Sequence, residues 1–415
     1  MSRINELIRK LCPNGVEYKK VWQITTWDKK YNSVDKYMQP KIIKYNYLLA
    51  NQLNEIIVDN GDVFILETGI NNTKKYTNED LAGDNLCNGE IIAIPWGGTP
   101  NVKYYNGKFV TGDNRIAVSN DINVLNTKFL YYIFENKMNE IADFYRGSGI
   151  KHPEMKKVLN LDIPVPPIKV QEEIVRILDK FGELEAELEA ELEVRKNQYE
   201  FWSEKLFDID DCEWKTTEEV FDTITDYVAN GSFKSIADNV SYKNEKDYAV
   251  LLRTVDYSNN YDENKFIYID EHAYNFLEKS KLFGGEIIIN NIGAGVGTTF
   301  LCPDLGMPMS LAPNTIMMRT PNNKFYYYWF NSKRGQESIE SVTAKSAMPK
   351  FNKTGFRKLL VPVPSIEKQN KIVSILDKFD ELTRNGSSGL LAEIELRRKQ
   401  YKYYRDKLLS FEELI

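Results

Sequence analysis

Little in this sequence has the residue types and spacing for bond-making chemistry. The only histidines are His152 and His272, too few for a paired metal site. The cysteines Cys12, Cys87, Cys212 and Cys302 form no CxxC pair, which predicts neither a zinc site nor a disulfide framework. No GxxxxGK[ST] phosphate loop is present. Two glycine-rich segments remain, Gly97-Gly98-Thr99 and Gly293-Ala294-Gly295-Val296-Gly297. Each follows a strand-like run, and each reads either as a tight turn or as a loop that approaches a nucleic-acid backbone with its amides.

Basic residues with aromatic neighbours are the other candidates. The first half of the chain offers Lys103-Tyr104-Tyr105, Lys108, Arg115 and the run 145–152, which contains Arg146, Lys151 and His152. The second half offers Lys345, Lys350, Lys353 and Arg357. Arginine and lysine hold phosphates or pair with guanine edges, and only the second use reads sequence. Plain surface solvation explains any single one of these cations equally well. The stretches 145–152 and 345–353 carry more weight, because both stand just before a Pro-x-Pro segment.

That segment belongs to a repeat. Residues 163–181, IPVPPIKVQEEIVRILDKF, return at 361–379 as VPVPSIEKQNKIVSILDKF, so Gln171 pairs with Gln369 and Asp179 with Asp377. A second block, EVRKNQYEFWSEKL at 193–206, returns as ELRRKQYKYYRDKL at 395–408. Self-similarity at half the chain length means two similar units. The Pro-x-Pro holds the chain extended and sets where a helix starts. Leu178, Phe181, Leu184, Leu188, Leu192, Tyr199 and Trp202 then recur at helical, near coiled-coil spacing. Leu376, Phe379, Leu382, Tyr401 and Tyr404 do the same in the second copy. Seam packing is the reading for the aromatic residues among them. At about 1.5 Å per residue, a helix over 168–207 runs roughly 60 Å. Asn385-Gly386-Ser387-Ser388-Gly389 predicts a break in the second helix. The N-terminal Ile4, Leu7, Ile8 and Leu11 read as the tail of a helix of the kind that the second unit receives from inside the chain.

A chain of 415 residues fits two or three domains. The expected division is 1–162 and 208–360 as globular α/β (α+β) domains, with spacer helices over 163–207 and 361–415. The two helices are expected to pack as an antiparallel, pseudo-two-fold coiled coil. Net charge is −6, mildly against a nucleic-acid binder. Much of the acidity is local, since residues 163–207 carry six basic and eleven acidic residues. There the tetrads from Gly182 to Glu193 read as an amphipathic helix with a solvated glutamate face. No apolar run approaches the roughly 18 residues of a membrane span, and the N-terminus has no apolar signal region. The expected location is the cytoplasm.

The repeated PVP…Q…I…ILDKF block, followed by R-K-x-Q-Y…KL, resembles the specificity subunits of type I restriction–modification systems. The resemblance covers the whole chain in order, but inside the variable domains it is one of layout only. It implies that each domain reads one half of a split, asymmetric site on double-stranded DNA. It also implies that the helices separate the domains and hold two methyltransferase subunits, which modify adenine with S-adenosylmethionine. Restriction subunits, with ATP and Mg, join for cleavage. No cofactor or metal is expected on this chain itself. No Asn/Asp-Pro-Pro-aromatic motif of adenine methyltransferases is present, which supports a non-catalytic role. Two alternatives stay open: a coiled-coil scaffold without DNA binding, and a system whose cutting and methylating activities share one polypeptide.

Overall fold

The computed structural model describes residues 2–70, 74–209, 211–383 and 389–414. The chain forms two compact units, one of residues 1–188 with 394–415, the other of residues 189–393. The boundaries therefore run through the helices, and each unit owns part of the repeated helical sequence. The expected break at 385–388 lies outside the described residues. No helix among the described residues is long and apolar enough to cross a membrane.

Both units share a four-stranded antiparallel frame. In the first, Thr25–Trp27, Asn114–Ser119, Cys87–Pro95 and Lys103–Thr111 lie side by side. In the second, Thr223–Asp226, Thr315–Arg319, Ile287–Asn290 and Thr299–Leu301 repeat that order. Beyond the frame the units diverge. The first extends the same sheet with Val63–Leu66, parallel to Lys103–Thr111, and Tyr76–Thr77. The second builds another four-stranded sheet from Tyr268–Ile269, Ala249–Leu252, Met309–Leu311 and Lys281–Leu282. An apolar helix backs each frame, Thr127–Asn136 in one and Asn323–Asn331 in the other.

The Pro-x-Pro segments are strands as well as helix starters. Asp162–Pro164 pairs with Tyr18–Lys20, and Leu360–Val363 with Glu213–Thr216, so Tyr18 faces Pro164 and Trp214 faces Pro362. The helix Ile168–Leu206 follows the first and Ile366–Thr383 the second. Two repeated polar residues root each helix. Gln171, fully buried, donates to the carbonyls of Val124 (2.8 Å) and Pro166 (2.7 Å) and accepts from the Asn126 amide at 2.9 Å. Gln369 donates to Pro364 O at 3.0 Å and accepts from Asn322 Nδ2 at 3.1 Å. Two turns on, on the same face, Asp179 accepts from Lys128 at 2.7 Å and from the Tyr132 hydroxyl at 2.5 Å. Asp377 takes Lys324 at 2.8 Å and Tyr328 at 2.7 Å. Burial, and next the carboxylate hydrogen bond, push the Tyr132 and Tyr328 phenols far up. Beside these anchors Val170, Ile174 and Leu178 are fully buried in the first unit, as are Ile372 and Leu376 in the second.

The helix pairs are antiparallel. In the first unit Phe181 stacks on Tyr404 at 5.5 Å and meets Tyr401 edge-on at 6.4 Å, while Glu185 pairs with Arg398 at 2.6 Å. Leu184 and Leu188 are half-buried there. In the second unit Leu192 and Tyr199 are buried, with Tyr199 edge-on to Phe379 at 6.4 Å. Two seam expectations need correction. Trp202 is 38% exposed and Leu382 41% exposed, and their neighbours Ser203 and Thr383 hold the buried positions. After Tyr199 and after Phe379 the inward step is four rather than three, and Phe207, four beyond Ser203, fills the core against Phe325 and Trp329. The N-terminal helix Ser2–Leu11 also differs from its expected role. The positions that Leu206 and Phe207 take in the second unit belong in the first to Leu408 and Leu409, both buried. The N-terminal helix packs beside them through Ile4, Leu7 and Ile8. Residues 412–414 hydrogen-bond to Val16, and the Tyr18 hydroxyl donates to Phe411 O.

The anchor has a direct test. In a double-mutant cycle of Asp179→Asn with Tyr132→Phe, read by urea unfolding, the expected coupling is about 1.5–3 kcal/mol, as for a hydrogen bond to a charged group. Additive losses would show that the pair does not hold helix to domain.

Candidate nucleic-acid interface

Two features that lie far apart in the sequence meet at one end of each sheet. In the first unit the strand Cys87–Pro95 runs into Trp96-Gly97-Gly98. The short hairpin Tyr145–Arg146 with His152–Pro153 lies against this turn. Gly98 N donates to Lys151 O at 3.1 Å, and His152 Nδ1 lies 2.7 Å from Trp96 O with its ring 5.1 Å from the indole. The approach is close enough to require glycine. A Cβ on Gly97 would sit 2.8 Å from Ile150 Cγ2 and 3.1 Å from His152 Cε1. Gly147, at φ +144°, turns the hairpin where a Cβ would lie 2.6 Å from Ile150 O. The buried Tyr145 fixes the base of the hairpin by donating to Pro95 O at 2.9 Å.

The second unit repeats the arrangement with other side chains. Gly293 N donates to Pro349 O at 2.9 Å, Ile292 bridges to Lys350, and Phe351 N donates to Asn291 O at 3.1 Å. The segment 344–350 closes on itself through Ala344 N to Lys350 O at 2.8 Å. A cavity of about 580 Å³ opens beside the other member of the pair, at Asn291 and Ile292, and is also lined by Tyr227, Phe233, Tyr242 and Asn314. Neither glycine segment opens a helix, and the Gly98 and Gly293 amides are already used on carbonyls. Both are turns that dock a neighbouring loop through these amides.

The structure divides the predicted cations into two groups. Arg146, Lys151 and His152 stand exposed on the first loop pair, Lys345 and Lys350 on the second. Arg146 and Lys345 have acidic neighbours at 3.3 Å (Glu154) and 3.6 Å (Glu340). Lys151 and Lys350 have no ion-pair partner among the described residues. The others are engaged by partners within the fold, Arg115 buried, Lys103, Lys353 and Arg357 half-buried, and Lys108 at the surface. Arg115 is 4% exposed, so the expectation of a surface contact is corrected. Its guanidinium lies 4.1 Å from the Trp96 ring centre, bonded to Asp113 and to Asn114 O, and so supports the turn from below. Beside it burial raises the Asp28 carboxyl, opposed by the Ile116 amide hydrogen bond and by Arg115. Lys103 bonds the Glu67 carbonyl, and burial pushes its amine down to about 8. Lys108 pairs with Glu79. Lys353 reaches Asp226 at 2.9 Å and Arg357 reaches Glu218 at 3.1 Å, tying the short helix Lys353–Arg357 to the first part of its unit.

Reasoning from charge missed the apolar members of the site. Trp96 is the platform between Arg115 and His152, and Ile150 and Met348 are the exposed loop tips. The last two occupy matching places in the repeat, which was visible in the sequence.

Comparison with known proteins agrees with this duplicated geometry. A family profile described as the type I restriction modification DNA specificity domain matches residues 27–194 and again 210–396. The chain is 33% identical over 324 residues to the EcoR124I/EcoR124II specificity subunit of Escherichia coli, spanning 72% of this chain and 74% of that one. A Haemophilus influenzae protein named as a specificity subunit of the same enzyme class is 28% identical over 346 residues, 78% of this chain and 83% of its own. Among solved structures, the S subunit of a type I restriction–modification system from M. genitalium superposes with a TM-score of 0.57 at 17% identity, covering 95% of both chains, and so shares the fold. The chain thus belongs to the type I restriction–modification DNA specificity family, carries two copies of its domain, and is a DNA sequence-recognition subunit rather than a catalytic one.

Proposed function

We propose that each unit reads one half of a split, asymmetric site on double-stranded DNA through its loop pair, 96–98 with 145–152 and 291–293 with 344–350. The observation that carries this reading is the recurrence of one loop pair, with exposed cations, on two units whose sheets diverge beyond a shared frame. Arg146, Lys151, His152, Lys345 and Lys350 are the residues nominated for DNA contact. Lys103, Lys108, Arg115, Lys353 and Arg357 act indirectly, by holding the loops and frames that present them.

The helices supply the partner surface. Phe201 with Lys205, and Tyr403 with Lys407, are exposed aromatic–lysine pairs at matching repeat positions, with the ammonium 5.8 and 5.9 Å from the ring. An epitope present twice suits two copies of one partner, here two methyltransferase subunits that bring S-adenosylmethionine for adenine modification. Restriction subunits with ATP and Mg complete a cleaving complex. The tetrads between Gly182 and Glu193 set half-site spacing, because removal of one shortens the helix by about 6 Å, nearly two base pairs at roughly 3.4 Å each.

Two measurements test this. Genome-wide mapping of N6-methyladenine is expected to lose one split motif when the gene is deleted. Complementation with a chain lacking Ala186–Glu189 should restore the same half-sites at a shorter gap. Altered half-sites at an unchanged gap would contradict the spacing role. In binding assays with the methyltransferase partners, Lys151→Ala and Lys350→Ala are each expected to lower the slope of log K against log salt by roughly 0.9. Lys353→Ala should instead leave the slope unchanged and cost stability. Unaltered slopes in the first two variants would remove those lysines from the interface.

A further inference from the structure

Single exposed apolar side chains are ordinary on protein surfaces. Ile150 and Met348 are not independent cases. They stand 198 residues apart, the offset of the repeat, and so occupy the same place in the two units. Each is the apolar tip of its loop, 70% exposed for Ile150 and 63% for Met348. Cations flank each tip, Arg146 and Lys151 in one unit, Lys345 and Lys350 in the other. Each tip also has a local contact that positions it. Gly97 lets Ile150 lie against the Trp96 turn, and Ser346 Oγ donates to Met348 O at 2.7 Å.

We infer that Ile150 and Met348 are apolar wedges that enter the DNA base stack, one at each half-site. This rests on the recognition function proposed above and adds to it. Two domains that read different sequences have no reason to share a base-reading residue. A task common to both half-sites, and indifferent to sequence, is what would keep an apolar residue in one place while the surrounding surface diverges. Insertion between base pairs is such a task. Isoleucine and methionine are suitable wedges, and flanking cations seat such a tip by neutralising the phosphates on either side. Local unstacking also serves the chemistry of the partner, since an enzyme that modifies a base must take it out of the stack. The alternative for an exposed apolar tip, contact with a thymine methyl in the major groove, would read sequence and would leave stacking undisturbed.

The test uses the full chain with its methyltransferase partners, on duplexes carrying the motif mapped by methylation, with 2-aminopurine placed step by step across both half-sites. The expected result is a fluorescence rise at one step in each half-site, of the size that accompanies unstacking. Ile150→Ala should abolish the rise in one half-site only and Met348→Ala in the other. Each variant should bind on the order of tenfold more weakly, and a duplex with an abasic site at that step should recover most of the loss. Ile150→Met should keep the rise, which separates wedge chemistry from loop folding. A complex that binds its motif specifically with no rise at any step, or with a rise that survives both alanine variants, overturns the wedge and leaves the recognition function standing. The absence of any motif-specific binding overturns both.

Discussion

A carboxamide and a carboxylate two helical turns apart govern how each domain meets its helix. Gln171 satisfies backbone groups that the Pro-x-Pro turn and the start of the backing helix would otherwise bury unpaired, and Gln369 takes the Pro364 carbonyl of its own Pro-x-Pro together with the Asn322 side chain. Asp179 and Asp377 hold a lysine and a tyrosine of that same backing helix. Four side chains thus fix the angle at which a recognition domain leaves its helix, and the loop pair at the end of its sheet inherits that angle. An apolar contact of equal area would hold the helix with less directional preference, because burial is non-directional and hydrogen bonds are not.

Once the frame is rooted in this way, the rest of each unit is free to change. One strand of the shared frame, Cys87–Pro95 or Ile287–Asn290, runs into an equivalent turn in each unit, whereas one unit extends its sheet and the other adds a second sheet. Asp28 and Asp226 close the first strand of each frame and show how a fixed position accepts different neighbours. Asp28 is buried beneath Tyr31 and the Ile116 amide, with Arg115 near. Asp226 instead pairs with Lys353, 127 residues away. Divergent side chains on one backbone plan suit a protein whose two halves present different surfaces to the same kind of ligand.

Much of this was legible in the sequence. The repeat located both Pro-x-Pro strands, both helices and the loops before them, since its boundaries coincide with structural ones. Less legible was which cations are free. Lys353 and Arg357 look like their neighbours Lys345 and Lys350, but their acidic partners lie 127 and 139 residues upstream. Arg115 reads as a surface arginine until the Trp96 turn folds over it. Helix phase also failed locally at Trp202 and Leu382, where hydrophobicity pointed outward and the smaller Ser203 and Thr383 fit the seam. Burial in an antiparallel helix pair is decided by the room left by the partner, and composition does not carry that information.

If each unit is a self-contained reader of one half-site, rooted in its helix by the same anchor, exchanging a unit exchanges a half-site. The most direct measurement replaces residues 213–360 with a second copy of residues 17–162, so that both Pro-x-Pro strands and their helices stay in place, and maps methylated adenine in cells that express the chimera with its partners. The expected result is a palindromic motif built from two copies of the half-site that the first unit reads. A chimera that folds and assembles but still methylates the original asymmetric motif, or one with an unrelated half-site, would show that recognition does not reside in the units separately.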